Sequence, residues 1–317
     1  MPKYTFLLPA YKVSRLDTML YSIQGQTYKD YQVLISDDCS PEAIIEICRP
    51  YLSDPRFAYR RNKSNISGEH LVKHWNLLVD MCDTEYLILA SDDDVYEPIF
   101  LEEIDKLVQK YPDVSLFRSR VQKIDNTGEV IEEEGMFAEY ESQLQFLNSY
   151  QSPSHIRCIS NYVFKTQPLK EVGKFIDFPF ACFSDTVAVT LMSSKGICHT
   201  KDYLFRFRWS GENLSSVQNP IVSKGKCRAT LMYFHWMKDF MSHTQYEKSR
   251  LNDNLHQSIE HAWRKHALWH ARTTLSALSV KEFRDIYNFF VKENMLPRLL
   301  MKAELVFDFI NQKRIHG

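Results

Sequence analysis

The sequence predicts an α/β protein: a Rossmann-like, mostly parallel sheet covered by helices on both faces, with a helical region appended at the C-terminal end. Three observations carry that expectation. Short apolar runs alternate with segments of helical spacing from residue 4 to residue 111, the rhythm of strands joined by crossover helices. Three of those runs are closed by Pro-Ala-Tyr or acidic segments, the kind of residues found where parallel strands open onto a ligand crevice. Beyond Pro220, apolar residues recur three and four apart almost to the end of the chain.

Taken in order, residues 4–8 (YTFLL) form a strand closed by Pro9, and residues 13–25 a helix with Val13, Leu16, Leu20 and Ile23 on its apolar side. YQVLIS at 31–36 completes a strand-helix-strand unit that ends in Asp37-Asp38-Cys39, with Ser40 capping a helix opened by Pro41. A short strand at 57–59, the loop NKSNISG, a helix over residues 69–82 and the strand EYLILA at 85–90 repeat the alternation. A helix over 98–111 stops before Pro112, with Asp94 as a candidate cap, and DVSLFRSRVQKID reads as one or two strands ending in the turn Asn126-Thr127-Gly128. From 135 to 200 the periodicity weakens: a helix near 138–148, a strand NYVFK at 161–165, and a helix opened at Asp185 and running through Ser194 remain readable. The C-terminal helices present apolar faces through Leu231, Phe234, Trp236 and Phe240, and through Ile259, Trp263 and Ala267.

Composition bounds the function. With 317 residues, 44% hydrophobic and 13% aromatic, the chain can bury a sizeable core. A formal net charge of −1 gives no argument for a nucleic-acid partner. Residues 220–317 nevertheless hold 16 Lys and Arg against nine Asp and Glu, so 1–219 and 220–317 are expected to be separate units with different tasks. The seven cysteines, Cys39, Cys48, Cys82, Cys158, Cys182, Cys198 and Cys227, form no CxxC pair, which fits reduced thiols in a cytoplasmic protein and suggests no zinc site. The N-terminal MPKYTFLLPAYK is too short in its apolar run for a signal peptide or a membrane span.

Chemistry concentrates at the strand ends. Pro9-Ala10-Tyr11, Asp37-Asp38 and Asp92-Asp93-Asp94 are expected to converge on one crevice, where a tyrosine can stack on a base and carboxylates can meet ribose hydroxyls or a divalent cation bridging diphosphate oxygens. Three successive carboxylates repel one another, a cost that a bound cation relieves.

These residues resemble family 2 glycosyltransferases, which have the GT-A nucleotide-diphospho-sugar fold. FLLPAYK is similar to the family's opening strand and Pro-x-Tyr turn, SIQGQTYKDYQVLISDDCSPE to its helix-strand segment, SNISGEHLVKHWN to its Asn-x-x-Gly loop and helix, and EYLILASDDDVYEP to its DXD metal motif. The resemblance covers residues 4–100 and implies an inverting, metal-dependent transferase that uses a nucleotide-diphosphate sugar, UDP-linked, with Mn2+ or Mg2+ as cofactor. It implies that Pro9, Ala10 and Tyr11 line the base pocket, that Asp38 contacts a uracil-like edge, that Asp92 lies near the ribose or diphosphate, and that Asp93 ligates the metal. Gly68 falls in the donor loop. Two positions depart from the family: Ser91 stands where an Asp is common, and Trp75 where an Arg precedes Asn76, which shifts diphosphate or sugar contacts to His70, Lys73 or His74.

Inversion requires a base for the acceptor hydroxyl. Asp185, in a segment that looks like the family's Glu-Asp motif with Ser184 in place of Glu, is the candidate, and Asp177 the reserve; a plain helix cap is the structural alternative for Asp185. Arg206, Arg208 and Trp209 precede the polar loop GENLSS and resemble a lid over donor and acceptor, with anchoring of the C-terminal helices as the alternative for Trp209. His266 and His270, four apart without a carboxylate partner, read as a solvated stripe. The basic, aromatic C-terminal region has two open readings, a surface resting on an anionic membrane or a packing and dimerisation module. The expected role is extension of a bacterial surface glycan on a glycan or lipid-linked acceptor, in the cytoplasm or at the membrane's inner face. A sugar nucleotidyltransferase fits less well, because no glycine-rich loop follows the first strand, and a catalytically inactive sugar-nucleotide-binding scaffold is the rival from another class.

Overall fold

A computed structural model of the protein describes residues 2–68, 70–211, 219–245, 247, 249–293 and 299–316. The chain divides into two compact units, a sheet unit (Met1–Asp177 with Ser184–Asn213) and a helical unit (Phe178–Phe183 with Leu214–Gly317).

The sheet unit begins with β1 (Tyr4–Ala10), α1 (Leu16–Gln24), β2 (Tyr31–Asp37), α2 (Ile44–Cys48), β3 (Phe57–Arg61), α3 (Leu71–Met81) and β4 (Tyr86–Leu89). It continues through β5 (Val95–Tyr96), α4 (Phe100–Lys110), β6 (Leu116–Ile124), β7 (Val130–Glu133), β8 (Tyr140–Glu141), α5 (Gln143–Tyr150), β9 (Tyr162–Lys165), α6 (Thr166–Glu171), α7 (Ser184–Met192) and β10 (Ile197–Arg208). The strands lie in the order β3-β2-β1-β4-β9-β6-β10-β5, with β7 on β6 and β8 on β10. Four neighbouring strands, β3, β2, β1 and β4, are parallel, β9 is antiparallel to both β4 and β6, and β6 and β10 are parallel again. This is the mostly parallel α/β sheet the alternation predicts. Strand placement reverses direction at β1, so right-handed crossovers put α1 and α3 on opposite faces, and the carboxyl ends of β1 and β4 flank the switch point where such sheets bind ligands. β1 is buried along nearly its whole length, and Tyr4, Phe6 and Leu8 pack with Leu20, Ile23, Tyr31, Val33, Ile88 and Tyr96 in the core.

Several elements differ from the sequence reading for identifiable reasons. Ser40 caps no helix: its hydroxyl donates to the Tyr11 carbonyl (2.5 Å) and accepts the Glu42 N–H (3.0 Å), while α2 starts only at Ile44. Asp94 does not cap α4, whose N-terminal boundary is Ile99; its carboxylate accepts the Arg208 N–H instead (2.9 Å). The helix read at 138–148 begins at Gln143 behind a Ser142–Gln145 capping box, because Tyr140 and Glu141 pair with β10. The periodicity of β10 gave no strand at all: its pairing with β6 shifts register between His199 and Phe205, which breaks the alternation of buried and exposed residues.

The helical unit contains α8 (Pro220–His243), α9 (Arg250–Arg272), α10 (Val280–Lys292) and α11 (Leu299–His316). Asn219 caps α8 and Ser249 caps α9, each accepting a backbone N–H three residues on. The buried stripe of α8 runs through Thr230, Tyr233, Phe234, Met237 and Met241, so Leu231, Trp236 and Phe240 sit beside it rather than in it. Ile259, Trp263 and Ala267 of α9 are fully buried. His266 and His270 are not a solvated stripe: both meet the Phe183 ring, and His270 Nδ1 lies 2.8 Å from the Thr230 hydroxyl, where burial drives its pKa down to about 4. Among the described residues no helix is long and apolar enough to cross a membrane.

Candidate donor and metal site

The three strand-end segments meet. The Asp38 N–H donates to the Ala10 carbonyl (3.1 Å), and the Tyr11 and Lys12 N–H groups both donate to one Asp92 carboxylate oxygen (3.3 and 3.1 Å). The turn after β1 is thus tied on one side to the end of β2 and on the other to the acidic motif after β4. Ala10 is buried within this junction, while the Tyr11 ring is 44% exposed and presents a face to solvent.

Asp37 and Asp38 are buried and support the turn. Asp37 accepts from Ser40 N (2.8 Å), from the Tyr59 hydroxyl (2.7 Å) and from Arg61. Asp38, 1% exposed, accepts from the Asn62 amide (2.8 Å) and from the N–H groups of Ile66 and Ser67 (3.1 and 2.9 Å). Burial alone would raise its pKa, but the hydrogen bonds from Ser67, Asn62 and Ile66 outweigh it and hold the carboxyl below its ordinary range. Three donors engage its oxygens, and it anchors the loop that carries Gly68 and leads to His70. Gly68 has φ +38°, a left-handed conformation that glycine adopts readily, and its N–H donates to the Asn65 side chain (3.2 Å). His70 is exposed and hydrogen-bonds Asp177 (2.9 Å), so the reserve base is engaged there. His74 is buried against Ser36, with its pKa lowered by burial, and Trp75 packs edge-on against Phe175, so neither faces a ligand. Lys73 is exposed on α3.

The acidic motif divides its labour. Asp92 holds the Tyr11–Lys12 turn, and burial together with the Asp93 charge pushes its pKa up to about 6. Asp93 accepts the Ser91 hydroxyl (2.6 Å), so the serine that replaces a family Asp orients the carboxylate beside it. Asp94 is buried, and desolvation by burial, together with the Asp93 charge, pushes its pKa well above the carboxylate range.

Asp93 opens into a cleft of about 150 Å³ lined by Lys12, Ser14, Arg15, Asn126, Arg208 and Ser210. Arg208 is 4% exposed, and its guanidinium donates to the carbonyls of Asp93 (3.0 Å) and Asp125 (2.7 Å). Arg15 adopts φ 73° at the start of α1 and reaches the Asn126 carbonyl (2.8 Å). Lys12, Ser14, Arg15, Asn126 and Ser210 line this candidate cleft and were not singled out by the sequence reading. Two cations within four residues of Tyr11 were the available signal; Asn126 carried none beyond a turn. Arg206 pairs with Glu97 (2.6 Å), and Trp209 sits under the Lys123 ammonium (4.6 Å) with Phe207 beside it, all within the sheet unit. The polar loop beyond Gly211, residues 212–218, lies outside the described residues. A larger pocket of about 400 Å³ lies between Cys82–Glu85 and Lys165–Lys170 and contains none of the strand-end groups, so the smaller charged cleft is the candidate site.

Among the described residues no three His, Cys, Asp or Glu side chains surround a common point that could hold an ion. A cation here would rest on Asp93 and on ligand oxygens, which is how Mg2+ and Mn2+ commonly sit on phosphate substrates. Asp185 occupies the first turn of α7, with Thr186 N–H donating to its carboxylate (2.7 Å), and burial raises its pKa. Burial first, and then the Asp94 charge with smaller contributions from Glu134 and Asp185, raises the pKa of the Cys158 thiol.

Among solved structures, the chain resembles S. aureus TarS 1-349 in complex with UDP-GlcNAc, with a TM-score of 0.65 at 12% identity, covering 98% of this chain and 90% of that one. It also resembles mannosyltransferase PcManGT from Pyrobaculum calidifontis in complex with GDP-Man and Mn2+, with a TM-score of 0.53 at 14% identity over 98% of this chain and 87% of that one. At such identities the likeness establishes the fold. An uncharacterized protein y4gI of Sinorhizobium fredii is 24% identical over 131 residues, 40% of this chain, which spans 14% of that relative's length. The profile of glycosyl transferase family 2 matches residues 5–173, more than half of the sequence, and the chain belongs to that family.

Proposed function

We propose that the protein is an inverting glycosyltransferase that moves a sugar from a UDP-linked donor to a glycan or lipid-linked acceptor. The observation that carries this reading is the cleft that places Asp93 with Lys12, Arg15 and Arg208, one carboxylate for a cation and three cations for a diphosphate. The UDP-GlcNAc bound by TarS and the GDP-Man and Mn2+ bound by PcManGT, both of the same fold, support it. In this reading Tyr11 stacks on the base, Pro9, Ala10, Gly68 and His70 complete the donor pocket, and Asp92 keeps the turn in place.

The acceptor hydroxyl attacks the anomeric carbon as the bond to the diphosphate oxygen breaks. Asp185 takes the hydroxyl proton, a task suited to a carboxylate whose pKa is raised by burial. Lys12, Arg15 and Arg208 receive the charge that accumulates on the departing diphosphate. A divalent cation held by Asp93 and the donor phosphates would neutralise part of that charge. Arg206 and Trp209 border the acceptor side. We place the enzyme in the cytoplasm, working on a bacterial surface glycan, with the basic helical unit (roughly residues 220–317) serving as a dimerisation surface or as a contact with the anionic inner face of the membrane.

Calorimetry of UDP with Mn2+, and UDP release from a panel of sugar nucleotides with water as acceptor, test the reading. Asp93→Ala is expected to abolish Mn2+-dependent UDP binding, whereas Asp185→Asn binds UDP normally and loses sugar release by at least about a hundredfold. Absence of both binding and release in the wild-type protein would end the proposal. Binding without release on any donor or acceptor would leave a donor-binding scaffold.

A further inference from the structure

We infer that the turn at residues 125–129, between β6 and β7, is a positioning element for the diphosphate grip: Asp125 locks the turn, and two consecutive backbone carbonyls of the turn hold Arg208 and Arg15 at the cleft. The inference rests on the reading of that cleft as the donor's diphosphate site. All the groups involved belong to the sheet unit. Arg208, at the end of β10, donates from Nη1 to the Asp125 carbonyl (2.7 Å), and Arg15, at the start of α1, donates from Nη2 to the Asn126 carbonyl (2.8 Å). Two arginines far apart in the sequence thus meet adjacent peptide groups, and both line the cleft into which Asp93 opens.

The turn is built to keep its shape. One Asp125 carboxylate oxygen accepts from the N–H groups of Thr127 (2.8 Å), Gly128 (3.0 Å) and Glu129 (3.0 Å) and from the Thr127 hydroxyl (2.7 Å). The Asp125 N–H donates to the Glu129 carbonyl (2.9 Å), and Gly128 takes φ 95°, a conformation open to glycine. The Asn126 amide donates to the Ser210 carbonyl (3.4 Å) and the Trp209 N–H to the Ile124 carbonyl (2.8 Å), which ties the turn to the chain that follows β10. A guanidinium is a planar fork of donors, so a carbonyl that engages one N–H sets the plane in which the others point. Arg15 and Arg208 lie close enough for their charges to repel, so carbonyls that hold them together prepare a place for a ligand whose negative charge meets both. Chain reversal between β6 and β7 requires neither arginine.

The test measures UMP and UDP binding to the full-length protein by calorimetry in Mn2+ and reads the ratio of UMP Kd to UDP Kd, which reports the grip on the second phosphate. Asp125→Ala frees the turn and is expected to lower that ratio about tenfold while UMP Kd stays within about threefold. Asp125→Asn, which removes the charge but keeps an acceptor oxygen, is expected to hold the ratio within about threefold of wild type. Loss of a negative charge alone would tighten UDP in both variants, the opposite sign. Gly128→Val, which disfavours the left-handed backbone at a position with open space around it, carries the test with the same selective loss if Asp125→Ala does not fold. A folded Asp125→Ala with the wild-type ratio, with tighter UDP, or with UMP and UDP weakened alike overturns the inference, as does an Asp125→Asn that behaves like Asp125→Ala. Arg15→Ala is measured in parallel: an unchanged ratio there refutes the diphosphate reading of the cleft, whereas a lowered ratio beside an Asp125→Ala that binds as wild type refutes the positioning role alone.

Discussion

At the scale of single residues, the sequence pointed to the right segments more reliably than to the right atoms. The segments at Tyr11, Asp38 and Asp92 do come together, because each follows a parallel strand and strand ends are legible as breaks in an apolar run. What each carboxylate does was not legible, since a carboxylate that binds a ligand and one that anchors a loop look alike until their donors are known. Asp38 is the anchoring kind. Asp38→Ala strands the buried N–H groups of Ile66 and Ser67 and is expected to cost about 3 kcal/mol of stability, read from urea denaturation, with donor affinity falling because the loop carrying Gly68 loosens. Arg208 shows the converse: named for its place before a polar loop, it proves to be a buried side chain bonded to the carbonyl of the very residue proposed to bind metal.

At the scale of elements, the first half of the sheet was readable throughout, whereas in the second half β6 and β9 were readable and β5, β7, β8 and β10 were not. β1 to β4 are uniformly parallel, and β1, β2 and β4 are largely apolar, whereas β6 to β10 include a β6–β7 hairpin, a polar interior and a register shift. The polar interior has a definite cause. Arg118 on β6 and Glu134, just after β7, form a fully buried ion pair at 2.7 Å, and Glu134 also accepts the N–H groups of Val121 and Ile156. A buried guanidinium left without its partner is costly, so Glu134→Ala is expected to lose about 3–5 kcal/mol and to lower the melting temperature sharply. A paired Arg118→Met, Glu134→Leu replacement recovers much of that loss, which a calorimetric melt of the three variants would check.

At the scale of the whole molecule, stability depends on pH through a buried histidine. His270 is buried in the helical unit with a pKa of about 4 against an ordinary value of 6.5, so the unfolded chain binds a proton that the folded one refuses. Stability therefore falls as pH drops from 6.5 toward 4 and is unaffected by this group above 6.5; the full gap corresponds to about 3 kcal/mol. Denaturation followed at pH 7 and pH 4.5 should show the loss, and His270→Gln should flatten it. The spread of the cleft along the chain has a further consequence for synthesis. Lys12 and Asp93 leave the ribosome early, but the Arg208 N–H that meets Asp94 comes 114 residues after it. A nascent chain stalled before β10 lacks the Arg208 contacts to Asp93 and Asp94, so the proposed diphosphate grip is expected to be complete only once translation has passed the end of the sheet.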